Sequence, residues 1–225
     1  ERLLPFMFSK SYSPVNQVDL NQDGKVEIYL GGNSDDAGRF LSYDKLKGFK
    51  LNEGYQIKKF SQTEESNGVF FDADLDGDQD YFMAAGGRTY GLNSKAMTSQ
   101  LWINTGNGKF TLSASGIPQH IKYSLSKAVA LDVDLDKDLD LVLGIRFDPL
   151  AYGKGGGMIL LENDGKGKFT DRTKLDAPDF SNSGVYNTQC TVIQNGVMNC
   201  PWVCGLKKNN SNSNKPTHDP TTMPD

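Results

Sequence analysis

The stretch FFDADLDGDQD, residues 70–80, sets the pattern for the whole chain. Five aspartates alternate with other residues from Asp72 to Asp80. In a strand, this alternation would place all five carboxylates on one face, where they would repel one another with no basic residue between them. A loop that turns at Gly77 can instead fold the oxygens around one hard cation, and Ca²⁺ takes about six to eight oxygen ligands. Residues 72–80 therefore predict a calcium loop.

The same pattern occurs at two other places in the chain. Residues 132–140 read DVDLDKDLD, 60 positions after the first stretch, and residues 19–27 read DLNQDGKVE, 53 positions before it. A repeat of roughly 50 residues is typical of propeller blades and related architectures, in which each unit is one supersecondary element. A chance acidic turn on the surface would not recur three times at this spacing, so the chain is predicted to be a repeat protein.

Short apolar runs and tight turns accompany each loop. A strand is predicted before each loop, as in GVFF (68–71) and AVAL (128–131), and another after it. The turns TGNG (105–108) and DGKG (164–167) lie between aromatic and aliphatic runs, which is a strong hairpin signal. Each unit should thus hold four short strands, with the metal loop between the first and the second. No stretch shows convincing helical periodicity.

Four-stranded antiparallel units repeated radially describe a β-propeller. We therefore expect an all-β fold, a β-propeller segment of about three four-stranded blades with calcium loops. The units fall at approximately residues 15–68, 69–128 and 129–182.

Four stretches carry a family resemblance: FFDADLDGDQD, ALDVDLDKDLDLVLG (130–144), LWINTGNGKFT (101–111) and ILLENDGKGKFTDRT (159–173). They resemble FG-GAP/VCBS-type repeats, which build integrin-alpha-like propellers with calcium in each loop, and they are especially similar to bacterial secreted proteins with an ASPIC/UnbV region. The resemblance covers about residues 10–180. It implies about three calcium ions and a secreted or cell-surface location, including association with a bacterial outer membrane. A full propeller of this kind has about six or seven blades, so the chain is expected to be part of a larger propeller.

The family's pattern also implies the ligands of each loop. Positions 1, 3, 5 and 9 would supply side-chain oxygens, and position 7 its backbone carbonyl. The implied ligands are Asp19, Asn21, Asp23, Lys25 and Glu27 in the first loop, Asp72, Asp74, Asp76, Asp78 and Asp80 in the second, and Asp132, Asp134, Asp136, Asp138 and Asp140 in the third. Lys25, Asp78 and Asp138 stand at position 7 and would bind through the carbonyl oxygen.

Other loop types and metals fit less well. An EF-hand needs a bidentate Glu at position 12, where Leu30, Met83 and Leu143 stand instead. Zinc would require Cys or His ligands, and none is near. Magnesium accepts oxygen ligands but prefers strict octahedral geometry, so it is the second choice. The calcium is expected to be structural, because a loop that saturates the ion leaves no open position for a substrate.

The three sites are expected to differ in affinity. Gly24 and Gly77 stand at position 6, where the sharp turn favours left-handed backbone, whereas the third loop has Lys137. This side chain adds strain of about 1 kcal/mol and a repelling charge, so the third site should bind more weakly. The first loop has fewer acidic residues and should also bind more weakly. Extracellular modules of this sort often bind calcium at ~10⁻⁴–10⁻³ M, which agrees with an exported protein.

The charge of the chain is concentrated in the loops. They hold thirteen of the 28 acidic residues, and three bound Ca²⁺ would change the formal net charge from −4 to +2. No apolar run approaches the ~18 residues of a membrane-spanning helix. The chain starts at Glu1 with no signal peptide, so we expect that one was removed or that the chain is a fragment.

The composition changes from about residue 183. Cys190, Cys200 and Cys204, the three cysteines, all lie beyond this point, and an Asn/Ser/Lys/Pro-rich run follows them. An odd number of cysteines permits at most one intramolecular disulfide bond and gives no firm signal for a compartment. Such a polar run cannot bury enough apolar surface to order itself, so residues 183–225 are expected to be a disordered or non-homologous tail.

Residues for catalysis are scarce in this sequence. The two histidines, His120 and His218, lie in a connecting stretch and in the tail. The sequence has no nucleophile elbow, phosphate loop or Cys/His pair, so we do not expect an enzyme. A basic stripe with interleaved aromatic residues is also missing, which argues against nucleic-acid binding.

The loops after the second strand of each unit are the candidates for recognition. Residues 33–39, 88–100 and 146–157 should emerge on one face, with Arg88, Tyr90, Arg146 and Tyr152 as contacts for a protein or glycan or as packing between blades. The leading hypothesis is an extracellular calcium-binding module for adhesion to a protein or glycan. The alternatives are part of a secreted polysaccharide hydrolase or lyase, whose acid pairs would be near in space only, and a purely structural repeat.

Overall fold

Three antiparallel sheets of four strands form the body of the protein. The structure, a computed structural model, describes residues 13–58, 63–87, 94–147, 156–181, 191–193 and 197–199. The first sheet contains β1 (Val15–Val18), β2 (Glu27–Leu30), β3 (Arg39–Asp44) and β4 (Gly48–Leu51). The second contains β5 (Glu64–Phe71), β6 (Asp80–Gly86), β7 (Gln100–Asn104) and β8 (Phe110–Ser113). The third contains β9 (Ser124–Leu131), β10 (Asp140–Phe147), β11 (Met158–Glu162) and β12 (Thr170–Asp171).

Each sheet is a meander in which strands adjacent in sequence are adjacent in space. The predicted metal loops, residues 19–27, 72–80 and 132–140, connect the first strand to the second in each of the three four-stranded sheets, and these sheets are three blades of a β-propeller segment. The strands β5 and β9 begin at Glu64 and Ser124, five residues before the expected unit starts at 69 and 129. Residues 64–67 carry no apolar alternation to indicate a strand, and a bulge interrupts the pairing of β5 between Glu65 and Asn67.

Strand β6 lies at the centre of the segment, and all seven of its residues are buried. Its alternate side chains face different blades, because successive residues of a strand point to opposite faces of the sheet. Tyr81 and Met83 pack with Tyr29 and other residues of the first blade. Phe82 and Ala84 pack with residues of the third blade such as Leu141. The apolar run at 81–85 is therefore a strand buried on both faces.

The outer face of the first blade carries a row of apolar side chains at the positions that form the interface between blades in the second blade. The row Ile28, Leu41 and Leu51 corresponds to the row formed by Tyr81, Trp102 and Leu112 in the second blade. At the last position of these rows, Leu112 is half-buried, whereas Leu51 is 49% exposed. Within the described residues no further blade covers this apolar face.

A short helical segment covers the outer face of the third blade. It contains α1 (Thr173–Asp176) and a 3₁₀ turn (Pro178–Ser181). Ala177 and Phe180 pack with Val142, Met158 and Leu160. No helical periodicity marks this element in the sequence, because one turn is too short to show any.

A two-stranded hairpin lies in the region expected to be a tail. Its strands are β13 (Thr191–Ile193) and β14 (Val197–Asn199). The three cysteines and the polar run at 207–216 lie outside the described residues, so the nature of residues 183–225 stays a prediction. No helix in the described ranges has the length and apolar character needed to cross a membrane.

A buried carboxylate connects the first two blades at the end of the sheets away from the metal loops. Glu65 of β5 accepts a hydrogen bond from the Tyr29 hydroxyl at 3.0 Å and one from the Tyr81 hydroxyl at 3.0 Å. All three residues are buried. A cavity of about 10 Å³, enough for one water molecule, adjoins Glu65. Burial raises the pKa of Glu65, against the lowering effect of its hydrogen bonds.

Candidate metal centres

The three metal loops follow the same backbone path. Position 6 is left-handed in each, with φ of 80° at Gly24, 95° at Gly77 and 85° at Lys137. The structure thus places Lys137 in the conformation that favours glycine, and the expected strain is present. Position 4 is left-handed too, at Gln22, Leu75 and Leu135. Sequence reasoning missed this second turn, because neither Gln nor Leu is a usual signal for positive φ.

The acidic side chains hold this path through hydrogen bonds to the loop backbone. In the second loop, Asp72 Oδ2 accepts from Gly77 N–H at 3.0 Å, and Asp76 Oδ1 accepts from Asp78 N–H at 2.9 Å. Asp80 Oδ2 accepts from Ala73 N–H at 2.8 Å. The same three bonds occur at equivalent positions in the other two loops. The carboxylates of positions 1, 5 and 9 are therefore oriented before any ion binds.

The second loop gathers three carboxylates around one point. Oxygen atoms of Asp72, Asp74 and Asp80 all lie within 4.8 Å of one another. Asp72 Oδ1 and Asp74 Oδ1 are buried and have no hydrogen-bond partner. Buried carboxylate oxygens without a partner are costly, and a bound cation would satisfy them. The donors are all oxygens, so this loop fits a hard cation such as Ca²⁺.

The pKa values of this loop show the cost of the arrangement without a cation. Burial raises the pKa of Asp80 to about 7, although backbone donors at Asn104 and Ala73 favour the charged form. Burial, and next the charge of Asp76, raise the pKa of Asp74. A divalent cation would reverse both effects, because it favours the ionised carboxylates that surround it. Calcium binding should therefore release protons near neutral pH.

The third loop gathers a different set of carboxylates. Asp132, Asp134 and Asp136 have oxygens within 4.8 Å of one another. Asp140 is buried but lies outside this group. The predicted role of Asp138 was through its carbonyl alone, yet its side chain is buried and its Oδ1 has no hydrogen-bond partner. Burial, and next the charge of Asp136, raise the pKa of Asp138 to about 6.

The first loop is arranged more loosely. Its residues form no group of three acidic side chains like those of the other two loops, within the part of the chain described. Asp23 Oδ2 lies 3.2 Å from Lys25 Nζ, so a lysine competes with an ion for this carboxylate. Asp19 accepts from Asp23 N–H and from Gly24 N–H. Glu27 at position 9 is buried, and burial raises its pKa.

We expect replacement of Lys137 by glycine to strengthen calcium binding at the third loop by a factor of about 3 to 10, because it removes a positive charge near the site. It also removes left-handed strain of about 1 kcal/mol. Isothermal titration calorimetry would measure the affinity. As a matched control, Gly77→Ala introduces the same strain into the second loop, where a Cβ would contact nothing within 4 Å. Unchanged affinity at the third loop in Lys137→Gly would contradict the prediction.

Comparison with known proteins bears on the two best-formed loops. Residues 72–143 match the model of the FG-GAP-like repeat. The match runs from the second metal loop through the third, and so supports the predicted repeat family for this part of the chain. The closer likeness to ASPIC/UnbV-type proteins stays a prediction. No curated protein matches the chain.

Among solved structures, the chain is similar to a lectin from Agrocybe aegerita that is described as recognising non-reducing terminal N-acetylglucosamine specifically. The TM-score is 0.46 and the sequence identity is 13%. The alignment covers 72% of this chain and 38% of the lectin chain, so the chain spans well under half the length of that relative.

The second strand of each meander runs from the metal loop to the opposite end of the blade, where the predicted recognition loops begin. Residues 88–93 and 148–155 of these loops lie outside the described residues. Arg146 is half-buried, and its pKa is lowered by burial. Arg88, Tyr90 and Tyr152 lie outside the described residues. His120 is on the surface, where its Nε2 lies 2.8 Å from Asp171 Oδ2.

A cavity that the sequence did not indicate opens beside the metal loops. It has a volume of about 590 Å³ and lies between the first two blades. The residues that line it include Gln17, Asp19, Gln22, Val26, Phe70 and Gln79. Gln22 Nε2 also donates to Gly77 O at 2.7 Å, so the cavity wall connects the first two metal loops.

Proposed function

We propose that the protein is a calcium-binding propeller module that acts outside the cell in protein or glycan binding. The observation that carries the proposal is the pair of buried, unpartnered oxygens Asp72 Oδ1 and Asp74 Oδ1 beside Asp80. A folded protein retains such a pair when a ligand compensates it. Carboxylate oxygens in a flexible loop suit calcium better than magnesium, which demands a strict octahedron and gives up its water reluctantly.

The ions are proposed to have a structural role. Asp80 connects the loop to the blade, since its Oδ1 accepts from the backbone N–H of Asn104 on β7 at 2.7 Å. Asp140 makes the equivalent bond to Asn163 N–H at 2.8 Å. The second and third loops thus connect the first two strands of their blades to the end of the next strand. An ion that neutralises these carboxylates would stabilise the blade, and no step of substrate chemistry is needed to explain the site.

Recognition of a ligand is assigned to surfaces next to this scaffold. The cavity at Gln17, Gln22 and Gln79 offers amide donors and acceptors with an aromatic ring, which suits the hydroxyl groups and apolar faces of a sugar. Screening on a glycan array, followed by an assay for product release, tests this part. Binding without turnover agrees with a binding module, whereas release of product from a polysaccharide would support the carbohydrate-active enzyme instead.

Calcium titration tests the metal sites directly. We expect the chain to bind about three Ca²⁺, with the tightest binding at the second loop, when chelator-treated protein is titrated by calorimetry. The same titration with Mg²⁺ should give weaker binding, since oxygen donors in a flexible loop do not enforce an octahedron. Absence of calcium binding up to ~10 mM, well above the range of extracellular modules, would refute the proposed function.

A further inference from the structure

The outer hairpin of the third blade, residues 163–167, lies between the second and the third metal loops. Gly167 N–H donates to Ala73 O of the second loop at 2.9 Å. A Cβ built on Gly165 would lie 3.3 Å from Leu75 Cδ1 in the second loop and 3.3 Å from Asp138 Oδ2 in the third. The hairpin therefore contacts both loops at once.

Asn163 is the residue of this hairpin that forms bonds to both loops. Its Nδ2 donates to Ala73 O at 2.9 Å and to Leu139 O in the third loop at 3.2 Å. Its backbone N–H donates to Asp140 Oδ1 at 2.8 Å. Asn163 is 4% exposed, so these bonds are shielded from water and a lost partner would be costly.

The two carbonyl groups that Asn163 contacts belong to parts of the loops that position predicted ligands. The carbonyl group of Ala73 is part of the peptide bond to Asp74, and the carbonyl group of Leu139 is part of the peptide bond to Asp140. Ala73 N–H in turn donates to Asp80 Oδ2 at 2.8 Å. An ion that fixes either loop therefore fixes one acceptor of the Asn163 amide.

The equivalent residue of the second blade does not make this connection. Asn104 donates from its backbone to Asp80 and from Nδ2 to Gln79 O at 3.3 Å, both in the loop of its own blade. Its Oδ1 accepts from Gly106 and Gly108. The first two loops are instead connected by Gln22, whose bond to Gly77 O is exposed. Of the three side-chain amides of Gln22, Asn104 and Asn163, that of Asn163 forms the buried connection between two loops.

We infer that Asn163 couples ion binding at the second loop to ion binding at the third, so that the two sites bind calcium cooperatively. The inference rests on the proposed calcium function. The first ion orders a loop and with it the Asn163 amide, and the second ion then binds to a loop that is already partly ordered. By linkage the effect is reciprocal, and a factor of about 5 or more in affinity is typical of such coupling. Asn163 acts as a positioning residue, since it touches the loops and none of its own atoms is a predicted ligand.

Site-resolved calcium titration of the full chain tests the coupling. The double variant Asp72→Asn/Asp74→Asn disables the second loop, and hydrogen exchange of peptides covering residues 132–140 reports the occupancy of the third. We expect the calcium concentration at half-saturation of the third loop to rise about fivefold when the second loop is disabled. In an Asn163→Ala background, disabling the second loop should raise this calcium concentration by clearly less, because the backbone bond from Gly167 to Ala73 O is then the remaining hydrogen bond between the hairpin and the second loop. Asn104→Ala is the matched control and should keep the coupling.

Each outcome decides the inference. An unchanged half-saturation of the third loop after the second is disabled would overturn it, and this measurement needs no change at Asn163, should Asn163→Ala fail to fold. Coupling that persists unchanged in Asn163→Ala would also overturn it. Absence of calcium binding at every loop would refute the proposed function, whereas independent binding at the loops would refute only the coupling.

Discussion

Replacement of Glu65 by alanine should lower the free energy of unfolding by about 3 kcal/mol. Glu65 accepts hydrogen bonds from Tyr29 and Tyr81, and both tyrosine side chains are fully buried. Without the carboxylate, two hydroxyl groups lose their acceptor, and each buried donor left unpaired costs about 1–3 kcal/mol. Loss of the buried charge offsets part of this, and the adjoining cavity has room for about one water molecule. Urea unfolding at pH 7 would measure the change.

Two further variants separate the hydrogen bonds from the charge. Tyr29→Phe removes one donor and keeps the acceptor, so it should cost only about 1 kcal/mol. Glu65→Gln is neutral and nearly isosteric, so we expect its stability at pH 7 to lie within about 1 kcal/mol of the parent. A change below ~0.5 kcal/mol for Glu65→Ala, within the range of ordinary surface substitutions, would show that this cluster does not hold the two blades together.

The parent and the Glu65→Gln variant should also differ in pH dependence. Because burial raises the folded-state pKa of Glu65 above its ordinary value of 4.5, the folded protein holds this proton more tightly than the unfolded chain. The stabilisation is fully present below about pH 4.5 and is lost as the pH rises through the folded-state pKa. The stability of the parent relative to Glu65→Gln should therefore decrease from pH 4 to pH 7. A difference that stays constant or increases would contradict the raised pKa.

The sequence predicted the features that depend on neighbouring residues. Alternating aspartates, the glycine at position 6 and the Asn-Gly and Asp-Gly turns are local signals, and the structure has the expected meanders and left-handed turns there. The same logic identified Lys137 as strained, and its φ of 85° agrees. Repetition strengthened each signal, because three copies of a pattern exclude chance more firmly than one.

Features that depend on distant residues could not be predicted. Glu65 meets Tyr29 across 36 residues of sequence, and Asn163 meets Ala73 across 90. Nothing in the local sequence indicates either contact, since both depend on how neighbouring blades pack. The burial of Asp138 also depends on a residue distant in sequence, because its side chain lies beside Gly165 in the outer hairpin of its own blade. Contacts between residues distant in sequence thus determine that Glu65 and Asp138 become buried.

The stability of the protein should depend strongly on calcium. A ligand that binds only the folded state at 100 times its Kd stabilises it by about 2.7 kcal/mol per site. For a chain of this length, about 1 kcal/mol raises Tm by roughly 2–4 °C, so saturation of the second loop alone should raise Tm by roughly 5–10 °C. Differential scanning calorimetry with calcium and with chelator would measure this, and magnesium at equal concentration controls for ionic strength. An unchanged Tm would contradict the proposal that the folded protein binds calcium at these loops.

For the variant Asp72→Asn/Asp74→Asn, the difference in stability from the parent should change sign between chelator and calcium. In chelator it should be more stable than the parent, because it removes two negative charges whose oxygens lie within 4.8 Å of those of Asp80. The Gly77 N–H bond survives, since the asparagine amide oxygen can accept it in place of Asp72 Oδ2. In calcium the order should reverse, because the variant has lost the second site. A purely structural acidic cluster would give the same order of stability in both conditions, whereas a reversal requires that the carboxylates be retained for an ion.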